Sequence, residues 1–372
     1  MEKSKPGSGR VVVKVGSNVI TKPDGFLDEW RISRIVQDIS TLFKQGREVI
    51  LVSSGAVAAG KKEVELSRRT GLVESRQVLA SIGQVKLMST YQFLFGKYGI
   101  PAGQVLATKE SFSGRRHYLN MKNCISAMLE NKVLPIVNEN DTISVNELMF
   151  TDNDELSGMI ATMADCESLI ILSNVDGVFN GDPDDEDTVL IREVKEDSEH
   201  HDRYISSSKS MSGRGGMMTK YRTARKTASA GIDVFIANGT RDSIILDILR
   251  RKDVPSTHFV PGKGKKSGIK KWLAYSDAFA KGTVTINNGA KDVLLGERAS
   301  SLLMIGVTSV EGHFKKGDII RIVDEKGKAI GIGKAEYDAE KAKSRIGVKN
   351  YKPLIRYHFL VLNRSSKTLL QE

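Results

Sequence analysis

The sequence predicts a three-layer αβα sandwich of the α/β class followed by a small β-rich C-terminal barrel, and three observations predict it. Residues 10–250 alternate short β-rich apolar runs with longer segments of helical period. Those apolar runs do not alternate with polar residues, as expected of strands buried on both faces of a mainly parallel sheet. Beyond a lysine-rich stretch the texture changes to short strands broken by glycine-containing turns.

The strands are expected at Arg10–Val15, Glu48–Ser53, Gly103–Ala107, Val133–Asn138, Ser168–Ser173 and Asp233–Asn238. Between the first two, Ile32, Ile35, Val36, Ile39, Leu42 and Phe43 recur on one helical face, and Gly46 closes the helix. Further helices are expected at Glu74–Tyr98, Arg115–Asn131, Glu155–Ala164 and Lys220–Ala230. The stretch Pro261–Lys271 carries five lysines and three glycines without periodicity, which reads as a linker. After it come strands at Thr283–Ile286, Asp318–Val323, Ala329–Lys334 and Arg356–Leu362, with a hairpin turn at Asp324–Gly327. The expected domains are residues 1–262, a basic linker at 263–277, and a β-rich unit at 278–372.

Length and composition agree with this organisation. A chain of 372 residues, 40% apolar and 27% charged, has the material for two or three packed cores. No apolar run approaches the ~18–20 residues of a membrane span. The polar start MEKSKPGSGR argues against a signal peptide. Two cysteines form neither a disulfide framework nor a metal-ligand spacing, so a reducing cytoplasmic setting is expected. The net charge is +11, of which residues 278–372 carry +7. A basic tail suits a polyanion, and a basic protein equally suits anionic substrates.

Several chemistries are excluded by what is missing. There is no GxxxxGK[ST] loop, no HRD/DFG pair, no GxSxG elbow and no GxGxxG after a strand. The six histidines have no metal or triad spacing. What remains is a series of polar turns at strand C-termini, where α/β sheets bind ligands. Lys14-Val15-Gly16-Ser17 can set an ammonium beside backbone N–H groups, or be a lysine before an ordinary turn. Ser53-Ser54-Gly55 and the small residues to Gly60 suit a carboxylate or phosphate, or a serine cap on a tightly packed helix. Asn138-Glu139-Asn140-Asp141 and Thr151-Asp152-Asn153-Asp154 suit an amino group, ammonium ions or Mg²⁺, the alternative being solvated turns. Ser173-Asn174-Val175-Asp176-Gly177 follows another buried strand. Gly213-Arg214-Gly215-Gly216-Met217-Met218-Thr219-Lys220 feeds a helix N-terminus, an arrangement suited to an anionic transition state or simply a surface loop.

Taken in order, VVVKVGSN, ILVSSGAVAAG, LPIVNENDTIS, TDNDELSGMIA, ILSNVDGVFNGDP and GRGGMMTK resemble the amino acid kinase family, in particular members that phosphorylate glutamate. The tail resembles a PUA domain through Gly289-Ala290, Ser301-Leu302-Leu303, Gly306-Val307, Gly317-Asp318 and Gly327–Gly331. Together the two cover roughly residues 10–362. The resemblance implies the amino acid kinase fold with a PUA-like barrel, and an ATP-dependent transfer to the γ-carboxylate of L-glutamate, the first step towards proline. It implies that Lys14 and Lys220 flank the transferred phosphoryl group and that Asp154 orients them. Ser54, Gly55, Asn138, Asp141 and Asn153 would hold glutamate. Lys14, Gly16, Ser173, Asn174, Arg214, Gly215, Gly216, Met217, Met218, Thr219 and Lys220 would hold ATP, with Mg²⁺ as cofactor. Two departures from the family pattern are Ser173-Asn174, where Thr-Asp is common, and Arg214 in place of a small hydroxyl residue. Proline is expected as a feedback inhibitor and glutamyl phosphate reductase as a partner. The chain is expected to be a homo-oligomer without membrane attachment, its tail binding RNA weakly. The rival readings are another carboxylate or carbamate kinase, or an RNA-binding or RNA-modifying protein led by the basic tail.

The inventory suits such a transfer. A γ-carboxylate with a reference pKa of ~4.3 is already ionised at neutral pH, so no general base has to make the nucleophile. The site must instead hold two anions together while charge spreads over the phosphoryl oxygens.

Overall fold

The structure is a computed structural model and describes residues 9–67, 69–143, 153–182, 187–196, 198, 216–262, 268–274, 279–296 and 298–362. The chain divides into two units, residues 1–265 and 266–372.

The first unit runs β1 (Arg10–Val15), α1 (Ser17–Ile20), α2 (Glu29–Lys44), β2 (Glu48–Ser53), α3 (Ala56–Gly60), α4 (Leu72–Gly96), β3 (Ala102–Ala107), α5 (Glu110–Ser113), α6 (Arg115–Glu130), β4 (Leu134–Glu139), α7 (Asn153–Met163), β5 (Ser168–Ser173), β6 (Glu193–Val194), α8 (Met217–Ala228), β7 (Asp233–Asn238), α9 (Ile244–Leu249) and β8 (Ser256–Phe259). Among the described residues its strands form one sheet in the order β3-β4-β2-β1-β5-β7-β8-β6. Neighbours from β3 to β7 are parallel, and β8 runs antiparallel to β7. The first strand of the chain thus lies inside the sheet, with β2 on one side and β5 on the other, and the strand order reverses there. Such a switch point opens a crevice at the strand C-termini.

β1 explains the layering. Val11, Val13 and Val15 point to one face and join the core with Ile32, Ile35, Ile39, Leu51 and Leu87. Lys14 points to the other face, because successive side chains of a strand alternate. α7 packs over that strand and also touches β2, β4, β5 and α8. A lysine in the middle of the sheet is therefore aimed at the helix that carries Asn153 and Asp154. On the opposite layer α2 packs on β2, α4 and α9.

α3 and α4 approach to backbone contact. A Cβ on Gly83 would fall 1.8 Å from the Ala56 carbonyl oxygen, and one on Gly60 2.0 Å from that of Leu79. Gly55, with φ of +101°, makes the turn from β2 into α3, and a Cβ there would meet Ile20 Cδ1 at 2.8 Å. These glycines are packing necessities at a strand-to-helix turn and a close helix crossing.

The second unit contains α10 (Gly268–Ala274), β9 (Gly282–Ile286), α11 (Asn288–Leu295), β10 (Val307–Gly312), β11 (Ile319–Asp324), β12 (Ala329–Lys334), α12 (Ala339–Lys343) and β13 (Leu360–Leu362). Its sheet has the order β10-β9-β11-β12-β13 around a core that includes Val284, Ile286, Ile320, Ile322, Ile330 and Leu354. Three expectations need correction here. Residues 268–274, expected as linker, form a helix because Trp272 and Leu273 supply an apolar pair that becomes buried. β10 was not expected, since its solvent-facing positions are polar. Arg356–Leu362, expected as one strand, is a strand only from Leu360 to Leu362, because Tyr357–Phe359 form a 3₁₀ turn in which the 40% exposed Tyr357 lies against the His358 ring.

Candidate active site

The crevice gathers residues from four parallel strands and three helices. Lys14 from β1 and Lys220 from the first turn of α8 converge on Asp154 of α7. The Lys14 ammonium contacts Asp154 Oδ1, and that of Lys220 lies 3.0 Å from Oδ2. Asp154 is wholly buried, and Lys14 and Lys220 are 1% and 9% exposed. Two cations on one carboxylate leave a net positive centre in a region poor in water, where charge–charge interactions are strong. Because Asp154 uses one oxygen per lysine, it sets the spacing of the two ammonium groups.

The preceding residue points the other way. Asn153 Nδ2 donates to Ser54 Oγ and to Asn138 Oδ1, each at 3.0 Å. One helical turn therefore joins the lysine pair to the polar ends of β2 and β4. Behind Ser54, the Ser53 hydroxyl bonds the Tyr91 hydroxyl at 2.8 Å. Burial, partly offset by that bond, pushes the Tyr91 phenol up to about 12, so it stays neutral and serves as scaffold. Asp141 is held by Arg76 of α4, whose Nε and Nη2 lie 3.0 and 2.5 Å from Oδ1. Asn138 Nδ2 donates to Gln84 Oε1 at 2.8 Å.

Of the sequence-predicted residues, Lys14, Ser54, Asn138, Asn153, Asp154 and Lys220 form this connected group, and Asp141 joins it through α4. Gly16 lies beside it, and a Cβ there would fall 3.6 Å from Lys14 Nζ. Its own N–H is engaged by the Leu172 carbonyl at 3.3 Å, and that of Ser54 by Val15 at 3.1 Å, so these two amides do not form the free anion cradle expected of such turns. Ser173 and Asn174 sit at the end of β5, Ser173 buried and Asn174 exposed. Gly216 caps α8 in extended conformation, and Met217, Met218 and Thr219 form its first turn. Arg214 and Gly215, like Thr151 and Asp152, lie outside the described residues.

Sequence reasoning missed Arg76, Gln84 and Tyr91, all on α4. The signal that could have found them is the glycine at position 83 inside a helical run, which marks a close backbone approach. A cavity of about 330 Å³ opens at the opposite, N-terminal end of the strands and includes Asp233, Phe235 and Arg251. There Asp233 is paired with Arg251 at 2.9 Å and His258 at 2.7 Å. That cavity has no part in the lysine-lined crevice. Among the described residues no group of His, Cys, Asp and Glu could hold a metal ion, and no helix is long and apolar enough to cross a membrane.

Comparison with known proteins places this geometry in context. The sequence pattern of the amino acid kinase family matches residues 9–238, and that of the PUA domain residues 282–352. Glutamate 5-kinase of Bacteroides thetaiotaomicron is 51% identical over 354 residues, which are 95% of this chain and 98% of that protein. Glutamate 5-kinase of Chlorobaculum tepidum is 48% identical over 363 residues, 97% of this chain and 99% of that protein. Among solved structures, an isopentenyl phosphate kinase in a substrate complex superimposes with a TM-score of 0.50 at 16% identity, over 68% of this chain and 99% of that one. At that identity the likeness speaks for the fold alone.

Proposed function

The chain belongs to the amino acid kinase family, and we propose from that premise that it is a glutamate 5-kinase, transferring the γ-phosphoryl group of ATP to the γ-carboxylate of L-glutamate. The observation that carries this reading is the buried Lys14–Asp154–Lys220 group joined through Asn153 to Ser54 and Asn138. In this reading the two lysines would stabilise the phosphoryl group, and the neighbouring carboxamides and hydroxyl would receive glutamate.

A γ-carboxylate oxygen attacks the γ-phosphorus, the new O–P bond forms as the bond to the bridging oxygen breaks, and ADP leaves with that electron pair. No proton moves, which agrees with a site built without histidine. Lys14 and Lys220 face the charge that spreads over the transferred oxygens, and Asp154 keeps both lysines aligned without itself meeting the phosphates. At the start of α8 the N–H groups of Thr219 and Lys220 are taken by the Gly216 carbonyl, so those of Met217 and Met218 would face the nucleotide phosphates. Mg²⁺ arriving with ATP would supply charge neutralisation on the phosphates. The donor set fits an ion that arrives with ATP, because the Asp154 carboxylate is taken by lysines and phosphate oxygens suit Mg²⁺ without an all-protein cage.

Ser54, Gly55, Asn138, Asp141 and Asn153 form the glutamate side in this reading. Gly16, Ser173, Asn174 and Arg214–Lys220 form the nucleotide side. The reaction is expected in the cytoplasm, in a homo-oligomer, with the labile acyl phosphate consumed by a reductase. Proline carries the α-carboxylate and cationic amine of glutamate without a reacting γ-carboxylate, so it should compete for the same pocket. Inhibition kinetics test this: proline raises the apparent glutamate KM and leaves kcat unchanged, whereas inhibition independent of glutamate requires a separate site.

The deciding experiment is hydroxylamine trapping of acyl phosphate with ATP, Mg²⁺ and a panel of amino acids. Hydroxamate with glutamate alone is expected. Hydroxamate with another acid in its place would reassign the substrate. Salt-sensitive RNA binding with no transfer activity would favour the rival led by the basic tail.

A further inference from the structure

We infer that Gln84 is a substrate-binding residue, donating from its side-chain amide to the α-carboxylate of glutamate, while the Asn153 amide oxygen accepts from the α-ammonium group. The inference rests on the glutamate reading above and extends it to a helix, α4, that the motifs do not touch.

Three carboxamides form one chain. Asn138 Nδ2 donates to Gln84 Oε1 at 2.8 Å, and Asn138 Oδ1 accepts from Asn153 Nδ2 at 3.0 Å. One bond fixes which way each amide in this chain is turned. The backbone N–H of Glu139 donates to Asn138 Oδ1 at 2.8 Å, and a backbone N–H needs an acceptor. Asn138 must therefore turn its NH₂ to Gln84, which must answer with its oxygen. Asn153 must present its NH₂, which also reaches Ser54 Oγ at 3.0 Å.

The leftovers of that chain are then determined. They are a donor, Gln84 Nε2, and an acceptor, Asn153 Oδ1, both buried and both without a hydrogen-bond partner among the described residues. Buried polar atoms are normally satisfied, and each exception calls for a ligand or another explanation. A donor and an acceptor left at the two ends of a rigid chain match a group that carries an anionic oxygen and a cationic N–H on one carbon. The order also fits. Asn153 adjoins Asp154, where the lysines converge, and Gln84 is the member farthest along the chain from it. In glutamate two methylene groups separate the reacting carboxylate from the carbon bearing the ammonium and the α-carboxylate.

The test uses the full-length protein and steady-state kinetics in the hydroxylamine assay. Gln84→Glu keeps an oxygen for Asn138 and replaces the donor with an anionic oxygen. It should raise the glutamate KM about 10- to 100-fold, the scale of a lost hydrogen bond to a charged group, with the ATP KM unchanged. A role limited to holding Asn138 predicts near-normal glutamate KM in this variant, and that result would overturn the inference. If thermal melting shows that Gln84→Glu is unfolded, Gln84→Ala is assayed with glutamate as substrate and 4-aminobutanoate, which lacks the α-carboxylate, as competitor. The inference requires weaker glutamate binding with an unchanged inhibition constant for 4-aminobutanoate. Equal weakening of both would overturn it. Failure of the wild-type protein to form glutamyl hydroxamate is a different result, and it overturns the glutamate reading on which this one stands.

Discussion

Asp154 is the residue on which the centre turns, because it is wholly buried and both of its oxygens meet lysines. Lys14→Ala and Lys220→Ala should each lower turnover ~10²–10³-fold, the usual cost of removing one transition-state donor. Asp154→Asn should be as damaging to rate and also lower stability by about 3–5 kcal/mol, since it leaves two buried ammonium groups without their counter-charge. Turnover and thermal melts of the three variants check this, and near-normal rates in all three would remove the proposed site. A second carboxylate gives a pH signature away from the crevice. Asp38 of α2 is buried, and burial pushes its carboxyl from 3.8 up to about 6 despite the backbone bond from Ile245 and the nearby Arg34. The folded state then binds that proton more tightly than the unfolded state does. Its contribution to stability is therefore full below about pH 4 and is lost as pH rises to about 6. Melting curves across that window should show a decline attributable to Asp38, and Asp38→Asn should remove it.

At the scale of elements, the α3–α4 crossing positions Arg76 and Gln84 beside the proposed glutamate side of the site. Gly83→Ala would ordinarily favour a helix by ~1 kcal/mol. Here the new methyl would fall 1.8 Å from the Ala56 carbonyl oxygen, so the helices must part. A net destabilisation of ~1–3 kcal/mol is expected, together with a raised glutamate KM because Gln84 and Arg76 ride on the displaced helix. Denaturant titration and initial rates measure both. The same crossing shows where the sequence was legible and where it was not. β1, β2, β5 and β7 are readable to the residue because each is a mainly apolar run, broken in β1 by Lys14, that ends in a polar or glycine turn. Lys14 and Asn138 could be singled out for the same reason, at the ends of such runs, and Asn153 and Asp154 as a polar cluster opening the helix after one. Arg76 and Gln84 were not, since their partners lie 65 and 54 residues away and only helix packing brings them together. β8, with the sequence STHF, is too short and polar to announce itself and exists because β7 offers it a pairing edge.

Among the described residues each of the two units has a hydrophobic core of its own. The described site residues, from Lys14 to Lys220, all lie in the first unit, so a chain ending at Pro261 should fold and form glutamyl hydroxamate. A folded truncate without activity would assign the tail to the catalytic unit. The position of β1 also has a consequence for how the protein is made. β1 can pair with β2 as soon as residue 53 has emerged, but its other neighbour, β5, is complete only at residue 173. At the usual ~5–20 residues per second of synthesis, that interval of about 120 residues lasts ~6–24 s. Throughout it, the strand of Val11, Val12, Val13 and Val15 has one unpaired edge, and until residue 154 is made Lys14 lacks the carboxylate it meets in the fold. An edge that is covered on both sides in the finished fold is therefore open to wrong pairing for most of that time.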